Sequence, residues 1–367
     1  MNPTAAVIRR ELAAHGALSF ARFMELALYA PGTGYYETAA NNVGRAGDFI
    51  TSVSAGELFG ELLAYQFADW LDALPLPTRT RHLVEAGAHD GQLAADILRW
   101  LRAHRPELFA NLEYWIIEPS PARQAWQQTT LLEFAPHVRW HAHWPVTPAP
   151  PVNGIIFSNE LLDAFPVHRY GWDAAAQQWF EWGVTLAAGE FAWTKLLATP
   201  AALPALPAEL LALLPDGYIY ETSPAAESWW HTAATQLAQG KLLAIDYGLV
   251  DAEQFSPART RGTLRAYHRH RVTDDLLAQP GEQDLTAHVN FSTLQRTGEL
   301  AGLRTDQLSP QPAFLTRILG AAIQTKTMAG LTAKQVRQFQ TLTHPEHLGR
   351  AFRVLVQTRL PAASEPR

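Results

Sequence analysis

The ten residues 84–93, VEAGAHDGQL, decide the fold of this chain. The short apolar run HLV leads into them and ends at Glu85, which predicts a buried strand. Gly87 and Gly91 permit a tight turn with a close approach of the backbone, and Asp90 can cap a helix that starts there. Free N–H groups at a helix start can face a ligand, so the stretch predicts a strand, a turn and a helix at a nucleotide-like site. The G-x-x-x-G spacing also fits a turn without a ligand.

Strands and helices alternate on both sides of this stretch. The helix that follows it carries Leu93, Ile97 and Leu101 on one apolar face. Ser120 and Pro121 open another helix as its N-cap and its first helical residue. Buried strands are predicted for the apolar runs LEYWIIE, VNGIIFSNE and KLLAIDYG and for the final HLGRAFRVLVQTRL. This alternation predicts an α/β fold, in which helices cover both faces of a mostly parallel sheet.

Two regions depart from the alternation. The N-terminal residues predict two helices, the second capped by Ser19, and Ser54 and Glu57 match a capping box before the helix LFGELLAYQFADWLDAL. Between NELLDAFP and KLLAIDYG, the stretches VHRYGW and QWFEWGVTL alternate between apolar and polar residues. They predict an inserted antiparallel lobe.

The composition is that of a globular protein, and it narrows the classes of partner. Of 367 residues, 47% are hydrophobic and 17% are charged, and the formal net charge is −6. An acidic chain disfavours nucleic acid and anionic membranes as main partners. The absence of cysteine excludes disulfides, Cys-based metal sites and a cysteine nucleophile. No apolar run is long enough for a membrane span, and the first residues lack the apolar core of a signal peptide, so a cytoplasmic location is expected.

The charge beside the glycine turn selects among ligands. A dinucleotide cofactor is bound by the pattern G-x-G-x-x-G, which is absent here, and Glu85 would repel its phosphates. The same carboxylate attracts the cationic amino group of S-adenosylmethionine. Glu118 ends the next strand, where a carboxylate can accept both ribose hydroxyls, although a solvated strand-end residue is the alternative. The pair favours an adenosyl ligand that carries a positive charge and no phosphate.

A second polar cluster follows the third predicted strand, in NELLDAFP. Asn159, Glu160 and Asp163 lie at the carboxyl edge of a parallel sheet, where ligands bind. Glu160 and Asp163 are three residues apart, so in a helical turn they share a face and could hold a guanidinium in bidentate fashion. The alternative is an N-cap followed by a solvated helix turn.

Other polar residues give weaker signals. The stretch GDFITS places Asp48, Thr51 and Ser52 before a helix, which fits either a ligand-binding loop or a well-capped one. Tyr36 precedes them and could stack on an adenine or close a lid. The histidines between residues 268 and 288 lack metal-ligand spacing, so no metal is expected.

Nine stretches, spread in order over most of the chain, resemble one family. They are YAPGTGYY, GRAGDFITS, FGELLA, EAGAHDGQLAADILR, EPSPARQ, NELLDAFPVHRY, AIDYG, GTLRAYHRH and DLTAHVNF. Together they resemble the MidA family of S-adenosylmethionine-dependent methyltransferases, whose mitochondrial members assist assembly of respiratory complex I by methylating an arginine on one of its subunits. The resemblance implies a class I methyltransferase with a seven-stranded sheet, a loop at residues 47–52 that closes over the site, and a substrate-facing NELLDAFP. It implies no roles for GTLRAYHRH and DLTAHVNF.

We therefore expect four parts in the chain. Residues 1–75 would hold the N-terminal helices and the loop that covers the cofactor, and residues 76–166 the first part of the cofactor-binding core. Residues 167–222 would form the inserted lobe. Residues 223–367 would complete the core, with a long loop at residues 248–290 and a C-terminal strand.

Two departures from the family pattern fall at the expected site. The first motif of the family reads E-x-G-P-G-x-G, whereas here Ala88 replaces the proline and His89 replaces the middle glycine. A non-glycine residue tolerates a left-handed turn less well, although His is among the better tolerated. After GDFITS the family continues with P-E-I-S, and here the chain reads VSAGE, so the acid of that motif is missing or displaced to Glu57.

The leading hypothesis is an S-adenosylmethionine-dependent methyltransferase that acts on an arginine of a protein. The expected catalytic residues are Glu160, Asp163 and Asn159. The expected cofactor-binding residues are Glu85, Gly87, His89, Asp90, Gly91, Glu118, Thr51, Ser52 and Tyr36. A respiratory-complex subunit is a candidate substrate, and a homodimer is compatible with the sequence. The alternatives are a non-catalytic assembly factor that keeps the fold and a small-molecule methyltransferase.

Overall fold

The computed structural model describes residues 2–38, 51–75, 80–145, 152–198, 203, 206–256, 259–268, 271–328 and 330–360. The helices in these ranges are α1 (Pro3–His15), α2 (Phe20–Tyr29), α3 (Leu58–Asp72), α4 (Gln92–His104), α5 (Pro106–Ala110), α6 (Pro121–Thr130), α7 (Ala208–Leu211), α8 (Pro224–Gln236), α9 (Asp251–Gln254), α10 (Phe291–Leu300), α11 (Gln311–Gln324) and α12 (Ala333–Thr343). The strands are β1 (Leu18–Ser19), β2 (Arg81–Ala86), β3 (Leu112–Ile117), β4 (Val138–His141), β5 (Val152–Asn159), β6 (His168–Asp173), β7 (Gln178–Ala187), β8 (Glu190–Leu197), β9 (Ile219–Thr222), β10 (Leu237–Leu249), β11 (Arg265–His268), β12 (Arg271–Thr273), β13 (Asp284–Thr286), β14 (Val289–Asn290), β15 (Arg304–Pro310) and β16 (Phe352–Arg359). Among the described residues, no helix has the length and apolar character to cross a membrane.

Seven strands form the central sheet, in the order β15-β16-β10-β5-β2-β3-β4. Strands β2, β3, β4, β5 and β10 are mutually parallel, while β16 is antiparallel to both β10 and β15. The two-residue strand β14 pairs with the end of β10. The mostly parallel seven-stranded sheet is therefore confirmed, and the carboxyl ends of β2, β3, β5 and β10 lie at one edge, where open sheets of this type bind ligands.

Both faces of the central sheet are buried, which is why its strands are nearly continuous apolar runs. Successive residues of a strand point to opposite faces. In β2, Leu83 packs with α3, α4 and α11, whereas Val84 packs with α8 and α10. Phe157 and Ile156 of β5 divide between the same two layers. The sheet edge is thus a platform fixed between two helical layers.

The inserted segment forms the predicted antiparallel lobe. Its strands pair in the order β7-β6-β9, with β8 also paired to β7. The N-terminal strand β1 adds to β7, where Leu18 lies opposite Val184. A separate apolar cluster joins α1 and α2 to this lobe and to Leu264 and Leu285. The first two helices therefore pack on the lobe, whereas α3 packs on the central sheet.

The predicted start of α4 differs from the structure by one residue. Ser19 of α2 and Ser120 of α6 accept the N–H of the residue three positions on, as predicted. The N-cap of α4 is Gly91 rather than Asp90, because the helix begins at Gln92. Asp90 acts from one residue earlier, where its Oδ1 accepts the N–H of Gln92 at 3.0 Å.

The predicted capping box of α3 is wrong. The helix begins at Leu58, and its N-cap Glu57 makes no side-chain hydrogen bond there. Ser54 instead pairs reciprocally with Thr51: each backbone N–H donates to the other hydroxyl oxygen, at 2.9 and 3.0 Å. This pairing closes a separate 3-10 turn before the helix. The Glu57 carboxylate accepts from Lys334 Nζ at 2.9 Å on the outer surface.

Gly154 tests the pairing of β5 with β2. A Cβ at this position, where φ is 149°, would lie 2.0 Å from the carbonyl oxygen of His82. We expect Gly154→Ala to lower the free energy of unfolding by at least about 2 kcal/mol, because two core strands must separate. Gly320→Ala on α11 is the control, since nothing lies within 4 Å of the added methyl group. Thermal unfolding should show a large loss for the first variant alone, and equal melting temperatures would contradict the observed register.

Candidate active site

Four acidic side chains mark the carboxyl edge of the central sheet. Glu85 lies near the end of β2, Glu118 directly follows β3, Glu160 directly follows β5, and Asp246 lies near the end of β10. Glu85, Glu118 and Asp246 are buried, and Glu160 has a buried carboxyl oxygen. Such a concentration of buried carboxyl groups is costly without compensating partners, which is typical of a functional site.

The glycine turn is strongly bent by three residues with positive φ: Gly87 at 75°, His89 at 46° and Gly91 at 86°. A Cβ on Gly87 would lie 2.8 Å from Leu161 Cδ1, so the turn passes closely over the segment after β5. His89 thus adopts the left-handed conformation expected at this departure from the family motif, at a cost of about 1 kcal/mol. Gln127 Nε2 donates to the His89 carbonyl oxygen at 3.0 Å and anchors the turn to α6.

A cavity of about 270 Å³ lies over this turn, and we call it the turn cavity. Glu85 lines it and accepts the Tyr114 hydroxyl at 2.6 Å, and burial raises the pKa of Glu85 to about 7. The other sequence-predicted residues that line it are Tyr36, Thr51, Gly87, His89, Asp90, Asn159 and Glu160. A positively charged ligand group would stabilise the ionised form of Glu85, so the cavity suits a cation.

Glu118 lines a larger adjoining cavity of about 700 Å³. Its Oε1 accepts the N–H of Ser120 at 3.0 Å, and its Oε2 accepts Gln127 Nε2 at 3.1 Å. The residue is buried, and burial raises its pKa, so it is not a solvated strand-end group. Arg123 and Tyr36 line both cavities, and Arg123 Nε donates to the Tyr36 carbonyl oxygen at 2.8 Å. The two cavities form one depression along the sheet edge.

Two sequence-predicted residues lie behind the cavity walls. Gly91 faces α6, where a Cβ would lie 3.4 Å from the Cα of Gln127. Ser52 is buried, and its backbone N–H donates to Glu160 Oε1 at 2.7 Å, so it contacts a site residue and lines neither cavity. Residues 47–50 of the expected covering loop, including Asp48, lie outside the described residues.

Glu160 stands at the centre of the site. It has a φ of 51°, and its N–H donates to the Ile245 carbonyl oxygen at 2.9 Å. Its Oε1 accepts Asn159 Nδ2 at 3.1 Å in addition to the Ser52 N–H. Burial nevertheless raises the pKa of Glu160 to about 7. In the described part of the chain, Glu160 Oε2 and Asn159 Oδ1 are buried without a hydrogen-bond partner, so both oxygens can accept N–H groups of a ligand.

Glu160 also lines a third cavity, of about 160 Å³, which we call the acidic pocket. The walls of this pocket are Tyr36, Glu160, Asp163, Tyr247, Thr263, Arg265, Tyr267, Asp284, Thr286 and His288. Burial, reinforced by neighbouring carboxylates, raises the pKa of Asp163 well above its usual range. Tyr36 donates its hydroxyl to Asp284 Oδ1 at 2.8 Å. The pocket thus presents three carboxyl groups and aromatic rings beside a single arginine, Arg265, and this excess of acidic groups suits a planar cation.

The carboxyl groups of Glu160 and Asp163 converge without the helical turn that the sequence predicts. Leu162–Ala164 forms a single 3-10 turn, and Glu160 precedes it in a left-handed conformation. Asp246 imposes this bend, because its Oδ2 accepts the N–H groups of the two residues after Glu160, at 3.1 and 2.8 Å. The predicted helical face is therefore wrong, while both side chains do line the acidic pocket.

The two stretches for which the sequence gives no role form the outer wall of the acidic pocket. They contribute β11 and β13, in which Arg265 lies opposite Thr286 and Tyr267 lies opposite Asp284. The intervening pair, Ala266 and Leu285, faces the apolar core instead. In both stretches polar or aromatic residues alternate with apolar ones. This alternation could have indicated two strands with one face directed at the site, because every second side chain of a strand lies on the same face.

Comparison with known proteins identifies the family. The model of a family of S-adenosyl-L-methionine-dependent methyltransferases matches residues 62–309. The chain belongs to this family. A COG1565 superfamily member from Burkholderia thailandensis, crystallised with S-adenosyl-homocysteine bound, is 33% identical and matches with a TM-score of 0.83 over 97% of this chain and 92% of that one.

Relatives from animals carry a more specific name. The Drosophila melanogaster protein named protein arginine methyltransferase NDUFAF7 homolog, mitochondrial, is 27% identical over 95% of this chain and 83% of its own length. The human protein arginine methyltransferase NDUFAF7, mitochondrial, is 26% identical over 96% of this chain and 83% of its own length. These matches confirm the resemblance to the MidA family that the sequence motifs indicate.

S-Adenosyl-L-methionine is the cofactor of this methyltransferase, and the geometry of the site fits it. Glu85 and Gly87 both line the turn cavity, so a carboxyl group lies beside a glycine whose backbone a ligand can approach closely. Glu118 offers carboxyl oxygens in the adjoining cavity. The unpartnered buried oxygens of Asn159 and Glu160 border the same space. Within the described ranges, no three His, Asp or Glu side chains converge in a way that could hold a metal ion.

The raised pKa of Glu85 predicts proton release on cofactor binding. A cation favours the ionised carboxylate, so titration with S-adenosylmethionine at pH 7 should release protons, and the measured heat should depend on the ionisation enthalpy of the buffer. We expect Glu85→Gln to weaken binding about tenfold or more and to remove part of this release. The exposed Glu209→Gln is the matched control. Unchanged affinity and proton release in Glu85→Gln would exclude a cofactor role for this carboxyl group.

Proposed function

We propose that this methyltransferase transfers the methyl group to a nitrogen of an arginine side chain in a protein. The observation that carries the proposal is the acidic pocket, which shares the wall residue Glu160 with the turn cavity. Carboxylates hold a guanidinium through paired charge-assisted hydrogen bonds, and aromatic rings accept its flat faces. The names of the animal relatives agree with this substrate class.

The residues around the turn cavity are assigned to the cofactor. Glu85 holds the cationic amino-acid end, while Gly87 and Asp90 shape the turn and His89 lines it. Glu118 receives the ribose hydroxyls in the adjoining cavity. The cofactor supplies a methyl group on a positively charged sulfur, and the task of the protein is to position the acceptor, remove a proton and exclude water.

Tyr36 and Thr51 complete the wall of the cofactor site. Tyr36 lines all three cavities and is fixed by its hydrogen bond to Asp284, and its ring stacks on Tyr29 with centroids 5.5 Å apart. The hydroxyl of Tyr29 in turn donates to the carbonyl oxygen of Ala164 at 2.9 Å. Tyr36 therefore forms part of the wall of both the cofactor site and the acidic pocket, as Glu160 does.

Glu160 and Asp163 are assigned to the acceptor. Transfer of the methyl group would form an N–C bond as the S–C bond of the cofactor breaks, leaving S-adenosylhomocysteine and a proton on the methylated guanidinium nitrogen. Glu160 can accept this proton because its pKa lies near 7. Asp163 and Asp284 line the same pocket, and a bound guanidinium would favour the ionised form of Asp163, whose pKa burial raises. Asn159 and Ser52 hold one oxygen of Glu160, so the buried Oε2 is the one free to face the acceptor.

The identity of the protein substrate, the oligomeric state and the cellular location of this chain also belong to the proposal. A respiratory-complex subunit is the candidate substrate that the MidA resemblance suggests, and homodimer formation is compatible with it. The named animal relatives are mitochondrial proteins, whereas the expectation from the sequence of this chain is a cytoplasmic location.

Glu160→Gln tests the division between cofactor and acceptor residues. We expect methyl transfer to an arginine-containing peptide library to fall at least about 100-fold, because the amide neither attracts the guanidinium nor accepts a proton. The affinity for S-adenosylmethionine should change less than about threefold, because Glu85 still supplies the anionic contact. Labelled-methyl incorporation and calorimetry give the two values, with Glu209→Gln as the control.

Equal loss of activity and cofactor affinity would refute the assignment of Glu160 to the acceptor side. Methyl transfer to lysine peptides and not to arginine peptides would overturn the arginine proposal. Transfer to free arginine or other small molecules in preference to every peptide would instead support the small-molecule alternative. A folded protein that binds cofactor and methylates none of these acceptors would favour the assembly-factor hypothesis.

The pKa of Glu160 also predicts the pH profile of the reaction. A raised pKa means that the carboxyl group is protonated below about pH 7 and ionised above it. The value of kcat/KM for peptide, measured at saturating cofactor, should therefore rise between pH 6 and about 8 and then level off. Because burial also raises the pKa of Glu85 to about 7, the control is Glu85→Gln, which should keep the rise. A flat profile in the unaltered enzyme would exclude Glu160 as the proton acceptor.

A further inference from the structure

A fourth cavity adjoins the acidic pocket and has the opposite charge. It has a volume of about 300 Å³ and is lined by residues 259–263, Arg265 and His288, and we call it the basic pocket. It contains three arginines, Arg259, Arg261 and Arg265, in a chain whose net charge is −6. Thr263, Arg265 and His288 line both pockets, so one side chain wall separates them.

The arginines of the basic pocket form no ion pairs with the described residues. Arg259 Nη1 donates to the Glu253 carbonyl oxygen at 3.1 Å, and Arg265 Nη1 donates to the Leu264 carbonyl oxygen at 2.7 Å. Arg261 is exposed. The neighbouring Arg353, by contrast, does form an ion pair, with the Glu253 carboxylate at 2.7 Å. A guanidinium has five N–H donors, so most of the donors in the basic pocket face the cavity or solvent.

His288 supplies a second observation that points to a ligand. Its Nδ1 is buried and lacks a hydrogen-bond partner in the described part of the chain. Burial, together with Arg259 and Arg265, lowers the pKa of His288 to about 4, so the ring is neutral at pH 7. Its backbone N–H donates to the Thr263 hydroxyl at 2.9 Å, which fixes the partition between the two pockets.

We propose that the basic pocket binds an acidic side chain of the substrate, Asp or Glu, located within a few residues of the arginine that is methylated. The inference rests on the proposed arginine methylation and adds the sequence context of the target. A peptide whose arginine enters the acidic pocket passes directly beside the basic pocket, because the two share a wall. Arginines recognise carboxylates through paired hydrogen bonds, so the two pockets together recognise a pair of opposite charges.

The opposite arrangement of charges also acts against wrong substrates. A lysine- or arginine-rich segment would place a second cation against unpaired guanidinium groups, and the repulsion would oppose docking. A segment without an acidic residue would leave the basic pocket occupied only by water. The acidic pocket on its own accepts any arginine, and the basic pocket supplies the selection among arginines.

The test compares peptides that differ at one position. Each contains a single arginine with Glu, Gln or Lys placed at each position from three before to three after it. We expect at least one Glu peptide to have a kcat/KM about tenfold above that of its Gln counterpart, and its Lys counterpart to be poorer still. The preference should shrink as the salt concentration rises, because the pocket is open to solvent.

Arg261 provides the matching change in the enzyme. In Arg261→Gln the preference for Glu over Gln should fall below about twofold, and in Arg261→Glu the Lys peptide should become the better substrate. Arg139→Gln removes an exposed arginine on β4, an edge strand of the central sheet, which lines neither pocket, and should keep the tenfold preference. Thermal unfolding of each variant verifies that it is folded.

The outcomes separate this proposal from the one on which it rests. If no arginine peptide is methylated, the proposed function fails. If arginine peptides are methylated and Glu, Gln and Lys peptides react equally, only the inference about the basic pocket fails. A phosphoserine peptide that surpasses the Glu peptide by tenfold or more would overturn the assignment to a carboxylate, because it would identify the ligand as a phosphate group.

Discussion

Several carboxyl groups are buried together at one edge of the sheet, and the free energy needed to ionise them there governs both the stability of the fold and its ligand binding. Glu85, Glu160 and Asp246 each have a pKa of about 7 through burial, so ionising each one costs the fold about 3 to 4 kcal/mol. Because these pKa values are raised above those of the unfolded chain, their contribution to stability is present at low pH and is lost as the pH rises from about 4.5 to 7. Bound cations offset this loss, so ligand binding and stability are coupled through the same groups.

Asp246 and Glu160 have different functions although both are acids at the carboxyl ends of neighbouring strands. Backbone N–H groups surround Asp246, and it holds the bend after β5 in place. Glu160 lies on that bend and keeps one oxygen without a partner among the described residues, facing the space between two cavities. One acid thus fixes the geometry and the other meets the ligand, which explains how a methyl donor and its acceptor can be kept close to a single carboxyl group.

Much of the fold follows from the sequence, because each sheet strand is buried on both faces and therefore gives an unmistakable apolar run. The glycine turn and the acids at the ends of β2, β3 and β5 follow from the same reasoning, since parallel strands bring their carboxyl ends together. The walls contributed by Tyr267, Asp284 and His288 do not, because only tertiary packing brings β11 and β13 against the bend after β5. The capping box at Ser54 also fails, since Thr51 competes for the same hydroxyl.

The acidic pocket takes its walls from distant parts of the chain: Tyr36 near the start, Glu160 in the middle, Tyr247 on β10, and the strands between residues 265 and 286. Contacts over such separations form late in folding, because the entropy of closing long loops must be overcome first. The turn cavity draws its walls from residues between 29 and 164, but Asp246 on β10 holds the bend that follows β5, and Asp284 holds Tyr36. Both the cofactor site and the acceptor pocket therefore depend on contacts with the C-terminal part of the chain, so a chain still emerging from the ribosome has neither of them in its final form.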